Sequence, residues 1–301
     1  MSFTLPPFQL PTVLLVRTPY EEVVLSVPMQ KSTQPSTASP RPSLGAASPG
    51  RTAGPPVIAH TDSERHYEVR LAVTEDELAQ AQRLRHEVFG GEWGAALAHT
   101  HLDVDALDPW CDHLIVRDLR TGSVVGTYRL LPPDRAAVAG GSYAASEFDI
   151  SSLTSIAGDL VELGRSCVHP NHRNGAVIGL LWSAVIRYLI AGGNNWLSGC
   201  TSVPLEDGGI RAASVWYQVS AKHMSPTSYA VTPYRPWGPD PNSPVIRAAM
   251  PPLLRGYLRL GAWVCGPPAH DPDFDCADFF MLLDLRRLSD RHLQHFVGRP
   301  R

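Results

Sequence analysis

The chain has 301 residues, 44% of them hydrophobic, with a formal net charge of -3 at pH 7. That is enough apolar material for a domain with a real core, while the near-neutral balance supplies no global field to gather nucleic acid or an anionic membrane; no nucleic-acid partner is expected. Five cysteines without CxxC spacing argue against a disulfide framework and point to a reducing, cytoplasmic compartment.

The first apolar stretch, PTVLLV, has no basic residue before it and is broken by Arg17, Glu21 and Glu22, so it reads neither as a secretory leader nor as a membrane span. Of the 29 residues from 28 to 56, 22 are Pro, Ser, Thr, Ala or Gly and none is acidic. Such a segment cannot bury enough apolar area to offset its chain entropy, so residues 1–65 are expected to be disordered, ahead of one domain over 66–301. Residues 67–73 then alternate like a strand, and Thr74 with Glu77 has the capping-box pattern. A helix to about Phe89 follows, in which Arg85 and Phe89 share a stripe. An acidic, irregular stretch carries Asp103, Asp105, Asp108 and Asp112 into a hairpin, with strands at 113–118 and 123–131 about the Thr121-Gly122 turn.

A loop rich in Gly and Ser leads through EFDI to a strand at 159–168, a polar turn and a long apolar helix at 176–193. Arg187 inside that helix, and the polar turn before it, favour a buried helix over a membrane span. Further on, 196–203 and 279–285 read as strands, and 211–220, 251–263 and 289–296 as helices. The order fits an α/β (α+β) domain of three layers, α/β/α, with a mixed, mainly antiparallel sheet. A doubly wound nucleotide fold would need helices between the strands at 113–131, where no residues are available for them.

The chemistry gathers around 162–176. A helix N-terminus offers unpaired N-H groups and a positive dipole end, so Val168, Arg173, Asn174, Gly175 and Ala176 can hold a phosphate. Their single glycine suits one phosphodiester better than a pyrophosphate; an ordinary strand-to-helix turn with a solvated arginine explains the same residues. In the strand, Glu162 and Arg165 would face apart unless it bulges near Gly164. Gly164-x-Ser166 falls short of a nucleophile elbow because Val168 replaces the second glycine, and Cys167 reads as a small core hydrophobe. Cys111, His113, His169 and His172 lack zinc pairing and the Asp103 run lacks the glycine of a calcium loop, so no metal is expected.

The turn from Val168 to Gly179 resembles the V-x-P-x-x-R-G-x-G-I-G turn of the GNAT acyltransferase superfamily. Arg85-x-x-x-Phe89, the Asp103/Asp105/Asp108 run, VGTYRLLP at 125–132 and Glu162-x-x-Arg165-x-x-Val168 are similar to the acyl-homoserine-lactone synthases. Trp93, four places after Phe89, and Leu107, in place of an aromatic, depart from that group. CDHL, VVGTYRLLPP, ELGRSCV and PPLLRGYLRLGAWVCGPPAHDPDFDCADFF resemble the bacterial ornithine N-acyltransferases more closely.

The resemblance implies a GNAT-like fold and transfer of a 3-hydroxy fatty acyl group to the α-amine of ornithine or a related amino acid, the first step towards an aminolipid. The donor it implies is acyl carrier protein, as a phosphopantetheine thioester, with no bound cofactor. Glu162 would be a modest general base and Arg165 would orient it or the acyl group. Arg85 and Arg129 would take a carboxylate or phosphate, the aspartates at 103, 105, 108 and 112 an ammonium, and Phe89 and Trp93 would line the acceptor site. Each aspartate taken singly is equally well a cap or a solvated loop residue. An N-acyl amino acid or lactone-type signal synthase, and a non-catalytic lipid- or carrier-binding module, are the alternatives. Leu253, Leu254, Tyr257 and Leu258 beside Arg255 and Arg259 would serve a peripheral membrane contact, or else pack in the core.

Overall fold

A computed structural model describes residues 60–62, 66–93, 101–240, 248–272 and 274–297. The Pro- and Ser-rich segment expected to be disordered lies outside them. The elements in order are β1 (His60–Asp62), β2 (Tyr67–Leu71), α1 (Glu75–Trp93), β3 (Asp112–Asp118), β4 (Val124–Leu131), α2 (Pro133–Val138), α3 (Ala144–Glu147), β5 (Phe148–Asp149) and β6 (Leu160–Val168). They continue with α4 (Ala176–Gly192), β7 (Trp196–Pro204), α5 (Ile210–Lys222), β8 (Thr232–Pro233), α6 (Pro252–Arg259), β9 (Trp263–Val264), β10 (Ala269–Asp271), β11 (Cys276–Asp284) and α7 (Asp290–Val297). β1 falls inside the stretch expected to precede the domain; three residues carry no periodicity by which a sequence could announce them.

Nine strands form one sheet in the order β1-β2-β3-β4-β6-β7-β11-β10, with β9 also on β11, while β5 and β8 pair separately. Neighbours in the large sheet run antiparallel except β6 and β7, joined by the α4 crossover. This is the expected mixed, mainly antiparallel α/β arrangement. Alternation along β11 sorts the two faces. Phe279, Met281 and Leu283 join the core built with α4, α5 and α6, whereas Phe280 and Leu282 join a second cluster with Phe148, Trp196 and Cys265. On that second side, Ala81, Leu84, Val88 and Phe89 of α1 pack on Ile115 and Cys167.

α4 buries Val177, Leu181, Val185 and Leu189 completely, each stabilising by about 1.5–3 kcal/mol relative to exposure. Its close approach depends on Gly126: a Cβ there would lie 2.5 Å from Val177 Cγ1. Among the described residues, no helix is long and apolar enough to cross a membrane. Leu253, Leu254 and Tyr257 of α6 are buried and Leu258 is half-buried against the same core, so that helix presents no apolar face for a bilayer. α6 is also shorter than expected, because Gly261 at φ 89 turns the chain into β9.

α1 starts as its capping pattern predicts on one side only. Thr74 Oγ1 accepts from the Glu77 N-H at 3.2 Å, but Glu77 reaches past the cap to accept from the Val73 N-H and to pair with Arg70 and Arg117. Arg70 holds the Glu77 carboxyl down at about 2, chiefly through its hydrogen bond.

Candidate active site

β6 positions the site through a break in its pairing. Opposite β4 the register shifts between Thr127 and Arg129, so that Arg165 and Ser166 together face Tyr128, and Arg165 takes a left-handed φ of 51. The bulge thus falls on Arg165 itself, with Gly164 beside it in register with Arg129. A non-glycine residue in that region costs on the order of 1 kcal/mol or more, so its surroundings must hold it. They do: the Arg165 guanidinium lies 3.1 Å from Asp103 and 3.0 Å from Asp105. The extra residue turns Glu162 and Arg165 to one face, the face that α1 and α3 cover.

Six charges fill the space between the two apolar clusters of that face. Arg85, wholly buried, meets Asp103 at 2.9 Å and Asp108 at 2.6 Å. Arg129 reaches Asp105 at 2.6 Å and Asp108 at 2.9 Å. Three arginines therefore cancel three aspartates. Desolvation would push the Asp108 carboxyl up, but Arg85 and Arg129 overcome it and hold the group well below the usual carboxylate range. His113, whose Nε2 lies 3.1 Å from the Asp108 carbonyl, has its imidazole pushed down to about 4, mainly by burial, and is neutral at pH 7. Arg85, Arg129, Asp103, Asp105 and Asp108, expected to bind an acceptor, bind one another instead. Asp112 departs from them: strand alternation sets it on the α4 face, where it pairs with Arg135 and accepts from the Tyr188 hydroxyl at 2.6 Å. Phe89 is a core residue and Trp93 closes α1.

Glu162 is buried at the last point where β6 and β7 are paired; its register partner is Ser198, and beyond it the strands part. Its two oxygens accept from the backbone N-H groups of Tyr143 at 2.8 Å and Ala144 at 3.0 Å, capping α3. Burial pushes its pKa up against those hydrogen bonds, so the carboxyl is a stronger base than a solvated glutamate. At the far end of β6, Val168 leads into the polar turn. Arg173 Nε donates to the Val168 carbonyl at 3.1 Å, Gly175 has φ 83, and Asn174 Oδ1 accepts from the Ala176 N-H at 3.1 Å, where an anion would sit at a helix N-terminus.

Reading residues in isolation missed Tyr143, Glu147 and Asp278. The Tyr143 hydroxyl donates to Glu147 at 2.8 Å and lies 3.5 Å from Asp278. Asp278, an acid inside the apolar run CADFFMLLD, was the signal that could have found them. Asp271, Cys276 and Asp278 also place potential metal-ligand atoms within 4.8 Å of one another.

A model of the acetyltransferase (GNAT) domain matches residues 84–183. The L-ornithine N(alpha)-acyltransferase of Rhodobacter capsulatus is 34% identical over 249 residues, which span 77% of this chain and 95% of that one. That of Rhizobium meliloti is 34% identical over 247 residues, 76% of this chain and 83% of that protein. Among solved structures, the homoserine-lactone synthase LasI has 15% identity and a TM-score of 0.46, covering 79% of this chain and 100% of its own. With a third of the aligned residues identical over most of the length of such relatives, this chain belongs to the L-ornithine N(alpha)-acyltransferase family and is an acyltransferase of GNAT type.

Proposed function

We propose that the protein transfers a 3-hydroxy fatty acyl group from acyl carrier protein to the α-amine of ornithine, the first step of aminolipid synthesis. The observation that carries this reading is Glu162, a buried carboxyl of raised pKa placed where β6 and β7 part. The amine nitrogen attacks the thioester carbonyl, the C-S bond breaks, the N-H proton passes to Glu162 directly or through a water, and the pantetheine sulfur leaves as a thiolate that is then protonated. With an α-amino pKa near 8, deprotonation at pH 7 costs only about 1.4 kcal/mol, whereas holding two reactants in place contributes roughly 7–11 kcal/mol. Positioning therefore dominates, and Glu162 contributes the smaller share.

The positions of the side chains support the following roles. The turn of Val168, Arg173, Asn174, Gly175 and Ala176 receives the phosphodiester of the carrier arm. Arg165, held by Asp103 and Asp105, is a positioning residue that fixes the bulge beside Glu162. Arg85, Arg129 and Asp108 brace it, and no cofactor is required. Glu162→Gln should lower turnover by roughly 100-fold or more while the Michaelis constant for ornithine moves little. Unchanged turnover would remove Glu162 from the chemistry. Acyl-carrier-protein donors should outperform the same acyl group on coenzyme A; equal rates would contradict the single-phosphate reading of the turn.

A further inference from the structure

Beside Glu162 lies a second group of buried acids that the proposed chemistry leaves unused. One residue links the two: Tyr143 gives its backbone N-H to Glu162 and its hydroxyl to Glu147. A hydroxyl has one proton, and at 2.8 Å it belongs to Glu147, so Asp278 Oδ2 at 3.5 Å gains little from it. Asp278 is hydrogen-bonded to Glu147 itself, and its other partners are neutral and weak, the Ser202 hydroxyl and the Cys276 thiol at 3.6 Å. Asp278 is wholly buried, and Glu147 Oε2 is shut from solvent with no partner besides that second acid. Among the described residues neither acid has an ion pair with arginine, lysine or histidine.

Buried carboxyls without a cation are costly, and proteins keep them where function needs them. Here burial and the neighbouring Asp278 push Glu147 up to about 10, and burial raises Asp278 as well. We propose that Glu147 and Asp278 form the acceptor-specificity pocket, receiving the side-chain ammonium of a dibasic amino acid whose α-amine is presented to Glu162. The inference rests on the reading of Glu162 as the amine end of the site. The span supports it, because the pocket and Glu162 stand one tyrosine apart, a reach that suits the two amines of a short diamino acid. A metal ion on Asp271, Cys276 and Asp278, whose ligand atoms lie within 4.8 Å of one another, is the competing occupant, and the test separates the two.

The test compares L-ornithine with L-norvaline, the same carbon chain without the terminal amine, on the full-length protein. Asp278→Asn should lower kcat/KM for ornithine by roughly 100-fold, mainly through KM, and leave norvaline unchanged. It should not lower the melting temperature, since it removes an uncompensated buried acid. Glu147→Gln, at the half-buried edge, should narrow the ornithine-to-norvaline ratio in the same direction and serves if Asp278→Asn fails to fold. Ornithine, but not norvaline, should raise the melting temperature of the unsubstituted protein, and this shift should vanish in either variant. That readout survives even if no acyl transfer to any amino acid occurs, a result that would sink the proposed function instead. An unchanged ornithine-to-norvaline ratio in both variants would overturn the pocket, as would chelator-sensitive activity with a manganese- or zinc-induced melting shift abolished by Asp278→Asn.

Discussion

Two buried polar regions share one face of the sheet and differ in a single respect. Around Asp108 every carboxylate has its guanidinium; around Asp278 the acids face hydroxyls, a thiol and each other. The first region is closed on itself and fixes backbone geometry, including the left-handed Arg165. The second holds acid with nothing to neutralise it, as a site for a cation would. Charged residues at the heart of a fold are therefore no guide to ligand contact until their partners have been counted.

The contrast is sharpest in stability. Arg85→Met leaves Asp103 and Asp108 buried without their shared cation and should destabilise the protein by about 3–5 kcal/mol in chemical denaturation. Asp278→Asn, equally buried, should cost nothing or raise stability. Equal losses in the two variants would erase the distinction.

The pH dependence should separate the regions next. His113, near 4 folded against about 6.5 unfolded, takes up fewer protons in the native state, so stability is lost as pH falls from about 6.5 through 4. Glu147 has the opposite sign: raised from 4.5 to about 10, it holds a proton that the unfolded chain releases, so stability falls as pH rises across that interval. Urea titrations from pH 4 to 10 should give a maximum on the mildly acidic side. Glu147→Gln should flatten the alkaline limb and leave the acid limb in place.

The smallest effect belongs to a pair nearer solvent. Arg70 at the sheet margin is 25% exposed and the buried Glu77 beneath it keeps Arg117, so Arg70→Gln should cost no more than about 1 kcal/mol, reduced further by salt. A loss as large as that of Arg85→Met would mean that burial does not set the scale.

Much of the frame was legible in the sequence. Periodicity located β2, β3, β4, β6, β7 and α4 to within a residue or two, since each buries a regular face. The bulge was foreseeable from Gly164, though its placement on Arg165 was not, because that depends on aspartates some 60 residues away in the chain. Sequence shows charge but not who neutralises it, so residues 103, 105 and 108 look as much like ligand contacts as like caps or loop residues. Asp112 looked like their companion, and strand alternation sent it to the other face. Glu147 and Asp278, 131 positions apart, meet only because α3 caps on Glu162 and β11 pairs with β7.

The most direct measurement is calorimetric titration of the full-length protein with ornithine and with norvaline, repeated on Asp278→Asn. If the ammonium enters the Glu147 and Asp278 pocket, ornithine should bind at least about tenfold more tightly than norvaline, and Asp278→Asn should erase that difference. Equal binding of the two amino acids, or a difference that survives Asp278→Asn, would contradict the assignment.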